Sequence, residues 1–154
     1  PKETIVEENP SLEEPTLPPA VIEQKSVPHF DISKLNCLYI EDQLDSQVLF
    51  KVQMKELKSI QFAAGFEEAL PLLEKNKFDF ILMDINLQGE YNGLDALRLI
   101  HKMPKYEKIP IVAVTAYVLP GDKEKFIAAG FQDFIAKPIF HDKMIESLQK
   151  IFQF

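Results

Sequence analysis

Five short apolar runs, separated by stretches with helical spacing, constrain the fold of this chain more than any other feature. They are Cys37–Ile40, Ser59–Ala63, Phe78–Met83, Ile109–Val114 and Phe131–Ala136. Runs of this length are too short for buried helices, and their near-continuous apolar character fits strands covered on both faces. The intervening stretches, about 45–57, 66–76, 93–103, 120–129 and 141–153, have the composition of helices. Around the first, Leu44, Val48 and Val52 recur at i, i+4 and i+8; in the last, Met144, Ile145, Leu148, Ile151 and Phe152 fall on one face. Pro120 suits a first helical turn, and Gly130 suits a helix end just before the fifth strand.

Strict alternation of strand and helix implies an α/β fold with a five-stranded parallel sheet between two helical layers, (βα)5. Right-handed crossovers leave few topologies, and the flavodoxin-like order 2-1-3-4-5 opens a crevice at the carboxyl ends of strands 1 and 3. The polar residues gather at such ends. Glu41 and Asp42 follow strand 1, Asp84 ends strand 3, Thr115 ends strand 4 and Lys137 ends strand 5. Carboxylates brought together repel unless a cation neutralises them, and hard oxygen ligands on a rigid frame suit Mg²⁺. A hydroxyl and an ammonium at the same place could ligate the oxygens of a phosphoryl group carried by Asp84. Alone, each residue has an ordinary reading as a turn, a cap or a solvated loop. Their joint order at the ends of four strands is what points to a phosphoryl site. A cis peptide before Pro138 would aim Lys137 inward.

The stretches LYIED at 38–42, ILMDINL at 81–87, VAVTAY at 112–117 and DFIAKPI at 133–139 resemble the receiver domain of two-component response regulators. The likeness covers about 34–153, and the run from Thr115 to Ile139 is most similar to receivers of hybrid histidine kinases. The resemblance implies that Asp84 is the phosphoacceptor. Asp42, the Asp84 carboxylate and the backbone carbonyl of Asn86 would bind Mg²⁺, with Glu41 acting through water. Thr115 and Lys137 would contact the phosphoryl oxygens, and Thr115 and Phe134 would form the switch. Asn86 and Tyr117 match the positions that set the lifetime of the phosphoryl group. The implied partner is a histidine kinase or a histidine phosphotransfer protein, and signal output would leave through the fourth helix, fifth strand and fifth helix. The implied domain is an acceptor that gains and loses its own phosphoryl group rather than an independent enzyme, whatever kinase the parent chain contains. One departure is the loop after Asp84, where Gly93 falls nine positions on and reads as a one-residue variant.

Residues 1–33 are a different material: seven acidic residues against two lysines, and six of the eleven prolines. That composition predicts a linker or tail ahead of a receiver domain at 34–154, with enough apolar residues for part of it to pack on the domain or on a neighbouring chain. A dimer through the tail or through the output face is therefore left open. The opening Pro predicts a fragment or a processed form, and the absence of a following DNA-binding domain fits a terminal receiver, with a stand-alone regulator as the alternative. A formal charge of −7 argues against direct nucleic-acid binding. No apolar run approaches the roughly 18 to 20 residues of a spanning helix, so a cytoplasmic location is expected. Two other uses of this fold fit less well. An aspartyl phosphohydrolase generally wants a second Asp two residues after the nucleophile, where Asn86 stands. A flavin module wants a phosphate loop after strand 1, where EDQLDSQ is acidic. A receiver acting only as a binding module is the remaining alternative.

Overall fold

In a computed structural model, residues 31–87 and 89–152 are described, and the structural statements below refer to these. The expectations about the tail fall largely on residues 1–30, which lie outside them. Five strands, β1 (Asn36–Ile40), β2 (Ser59–Ala63), β3 (Phe80–Asp84), β4 (Ile111–Thr115) and β5 (Asp133–Ala136), form one sheet. Five helices alternate with them: α1 (Leu44–Gln53), α2 (Phe66–Lys75), α3 (Gly93–His101), α4 (Asp122–Ala129) and α5 (His141–Phe152). The order is β2-β1-β3-β4-β5 and every pairing is parallel, so all five carboxyl ends reach the same edge. This is the flavodoxin-like architecture that the sequence pattern predicts.

The central strands β3 and β4 are buried along their whole length, which is why they read as unbroken apolar runs. Three runs extend past the ladder at their amino ends. Phe78 and Phe131 are buried in the core without strand pairing, and Pro110, which has no N–H to donate, stands just before β4. Pro120 lies in a turn, not in α4. Asp122 N donates to Leu119 O at 3.0 Å, and Gly121 takes φ 84°, so Pro120-Gly121 is a type II turn. Gly130 ends α4 with φ 123°, as its position predicts.

The apolar stripe of the first helix faces solvent. Leu44, Val48 and Val52 are exposed, while Phe50 and Met54 supply the buried contacts. Spacing identifies a stripe on a helix but does not say which side faces the core. Among the described residues, no helix is long and apolar enough to cross a membrane.

Candidate functional site

The parallel register sets the site. Asp84 pairs with Val114 and Thr115 with Ala136, so the last residues of β3 and β4 and the residue after β5 stand side by side. Ile40 pairs with Met83, which puts Glu41 and Asp42 next to Asp84. Carboxylate oxygens of Glu41, Asp42 and Asp84 all lie within 4.8 Å of one another. A cleft of about 320 Å³ opens over them, lined by Asp42, Gln43, Asp84, Asn86, Ala116, Tyr117 and Lys137.

The cluster is anchored from below. Glu41 is fully buried and Asp84 is only 4% exposed, whereas Asp42 faces solvent. The Lys137 ammonium lies 2.5 Å from Glu41 Oε1 and 3.1 Å from Asp84 Oδ2, and the Lys137–Pro138 peptide is cis. Asn86 N donates to Asp84 Oδ1 at 2.8 Å, so each oxygen of Asp84 has one protein partner. Tyr39 OH donates to Glu41 Oε1 and Gln43 N to Glu41 Oε2. Gln47 Nε2 donates to the Glu41 carbonyl at 2.7 Å.

These contacts show in the acidities. Burial pushes the Glu41 carboxyl above its ordinary value and the Asp84 charge adds to this, against the bonds from Lys137 and Gln43. Burial and the neighbouring Glu41 charge raise the Tyr39 phenol, so it stays a donor. For Lys137 burial acts to lower the value, but the bonds and charges of Glu41 and Asp84 outweigh it and hold the ammonium above its usual range.

The other predicted residues join this centre to the flanking loops. Thr115 is buried, and its hydroxyl contacts Asn86 Nδ2, Tyr117 N and Tyr117 O, each at 3.1 Å. Phe134, half-buried in β5, stacks on Phe126 of α4 with ring centroids 5.7 Å apart and planes 7° from parallel. Tyr117 is exposed at the rim. Gly93 lets α3 start close to the site: a Cβ there would stand 2.7 Å from Ile85 Cα and 3.2 Å from the Asp84 carbonyl oxygen. The sequence reading missed Tyr39, Gln43 and Gln47. Tyr39 was open to inference, since residues two apart on a strand point the same way and Tyr39 precedes Glu41 by two.

Residues 38–149 match the family described as the response regulator receiver domain. The chain belongs to the receiver domain family. Among curated relatives of this receiver, the signal transduction histidine-protein kinase BarA of Escherichia coli K12 is 31% identical over 121 residues. That match takes in 77% of this chain but 13% of the kinase, so the chain spans only a small part of such relatives. The polar-differentiation response regulator DivK of Brucella anthropi is 33% identical over 107 residues, 64% of this chain and 86% of that protein. Among solved structures, the receiver domain of a sensor histidine kinase from Pseudomonas aeruginosa PAO1 has 30% identity and a TM-score of 0.66, covering 76% of this chain and 96% of that one. It was solved with a magnesium ion coordinated in its active site cleft. Chemotaxis protein CheY4 of Vibrio cholerae, at 23% identity and a TM-score of 0.66 over 77% of this chain and 98% of that one, shares the fold.

The donor set of this receiver suits a hard divalent cation. Three carboxylates converge, one of them open to solvent, and no nitrogen or sulfur ligand joins them in the cluster.

Proposed function

We propose that this receiver accepts a phosphoryl group on Asp84 from a phosphohistidine in a Mg²⁺-dependent reaction. The observation that carries the reading is the Asp84 carboxylate at the base of the cleft, within 4.8 Å of Glu41 and Asp42 and 3.1 Å from the Lys137 ammonium. An Asp84 oxygen attacks phosphorus, the P–N bond to the donor histidine breaks, and the imidazole nitrogen keeps the electron pair. Asp42, Asp84 and the Asn86 carbonyl would hold Mg²⁺, with Glu41 acting through water. When bound, the cation would offset the negative charge gathered between carboxylates and phosphoryl oxygens. Lys137 and Thr115 bind the phosphoryl oxygens.

Partner and output use different faces. A histidine donor has to cover the cleft, and the exposed apolar residues include Tyr117 at its rim and Leu44, Val48 and Val52 of α1 with Phe140. Gln53 Oε1 accepts from His141 N at 2.8 Å, which ties the end of α1 to the start of α5 on that side. The donor is a histidine kinase or a histidine phosphotransfer protein. Output runs through α4, β5 and α5, where the Phe134–Phe126 stack joins β5 to α4 and Ser147 Oγ donates to Asp133 Oδ2 at 2.7 Å. Phosphorylation shifts a two-state equilibrium of this face. The receiver domain at 34–154 is the switch, and residues 1–33 are its linker or tail.

Incubation with Mg²⁺ and a small acyl phosphate tests the reading by intact mass. The wild type is expected to gain one hydroxylamine-labile phosphoryl group, and Asp84→Asn to gain none. Equal labelling of both proteins would put the phosphoryl group on a residue other than Asp84, and labelling of neither with any donor, including a phosphohistidine protein, would leave the binding-module reading in its place.

A further inference from the structure

A hydroxyl has one proton to donate and two lone pairs to accept with, and the Thr115 hydroxyl uses all three. It donates to Tyr117 O, and accepts from Tyr117 N and from Asn86 Nδ2. Thr115 is 1% exposed, and all three of these contacts are to protein groups. Donating to a phosphoryl oxygen on Asp84 therefore requires the bond to Tyr117 O to break first. Asn86 is well placed to resist that movement. Its backbone N–H is held on Asp84 Oδ1 at 2.8 Å, while its side-chain amide reaches across to Thr115.

From this geometry, and resting on the phosphoacceptor reading above, we infer that Asn86 is a positioning residue: its amide latches the Thr115 hydroxyl in the unphosphorylated arrangement and so opposes switching. The role is separate from any effect on the attacking water, because it concerns the position of an equilibrium and not the rate of hydrolysis. It also gives Tyr117 a part. When Thr115 turns to the phosphoryl group, the Tyr117 N–H and carbonyl lose their partner, and the exposed Tyr117-Val118-Leu119 segment that leads to α4 is released.

Beryllofluoride separates the two roles, since its adduct mimics the phosphoryl group without turning over. At saturating Mg²⁺, its dissociation constant is measured for the wild type, Asn86→Ala, Thr115→Val and the double variant. Alanine keeps the backbone carbonyl at position 86. Losing one buried hydrogen bond of ordinary strength from the unliganded state is expected to tighten the Asn86→Ala complex about 2- to 12-fold. In the Thr115→Val background, which lacks the hydroxyl, the same substitution is expected to change nothing. An unchanged or weakened complex for Asn86→Ala, or a gain that persists without the Thr115 hydroxyl, overturns the latch. Failure of the wild type itself to bind beryllofluoride overturns the phosphoacceptor reading, and the latch with it.

Discussion

Replacing Lys137 by Met removes a charge while keeping most of the aliphatic stem, and tests whether the cleft is held by ion pairing. The ammonium is shared between Glu41 and Asp84, whose side chains are 0% and 6% exposed. Breaking a buried pair by removing one partner costs about 3–5 kcal/mol, because the other charge is left behind. The opening of the cleft to solvent puts this case at the low end, about 3 kcal/mol. At about 2.1 cal/mol/K per residue, a folded unit of about 120 residues loses about 12 °C in melting temperature. The penalty depends on pH. Burial and Asp84 already hold the Glu41 carboxyl above its ordinary value, and Lys137 works against them, so its loss raises the folded value further. A carboxyl raised on folding destabilises fully above its folded value, and the penalty disappears as pH falls through that value to the unfolded one. Mg²⁺ at ten times its dissociation constant returns about 1.4 kcal/mol. Urea unfolding in chelator, repeated across pH and with Mg²⁺, reads all three effects. A loss below about 1 kcal/mol, or one that does not shrink in acid, would refute the reasoning.

Asp42→Asn relieves like-charge repulsion at the exposed corner of the cluster. It is expected to stabilise the protein in chelator by about 1 kcal/mol and to lose the Mg²⁺-dependent rise in melting temperature, both read by calorimetry. Ser147→Ala removes a 2.7 Å bond to the buried Asp133 and should cost about 1.5–3 kcal/mol near neutral pH. Burial works to raise the Asp133 carboxyl, but Ser147, the Phe134 N–H and Lys150 outweigh it and hold the value low. That stabilisation is complete above the unfolded value and lost as pH falls through the folded one, so the variant and the wild type converge in strong acid. Tyr117→Ala opens the rim of the cleft and is expected to shorten the life of the phosphoryl group, measured by loss of radiolabel after donor removal.

Much of this was legible because a parallel sheet converts sequence order into spatial order. Asp84, Thr115 and Lys137 stand at the ends of apolar runs, and parallel pairing must bring such ends to one edge. The residues that were not legible act through direction rather than position. Leu44, Val48 and Val52 have the spacing of a packed face yet point outward, because Phe50 and Met54 already fill the space beneath α1. Alternation along β1 puts Glu41 on the side of Tyr39, but nothing local says that Lys137 meets it there while its neighbour Asp42 turns to water. The link from Ser147 to Asp133 joins residues 14 apart on different elements, each of which reads alone as an ordinary surface residue. Gly93 was noticed as a shift in loop length; its reason is the approach of α3 to the backbone just after Asp84.

The most direct test of the central claim is a crystal structure of the protein with Mg²⁺ and beryllofluoride. The adduct is expected on an Asp84 oxygen, with the cation against Asp42 and Asp84, and Lys137 and Thr115 both in contact with fluorine. An adduct on another residue, or a cation bound away from these carboxylates, would contradict it.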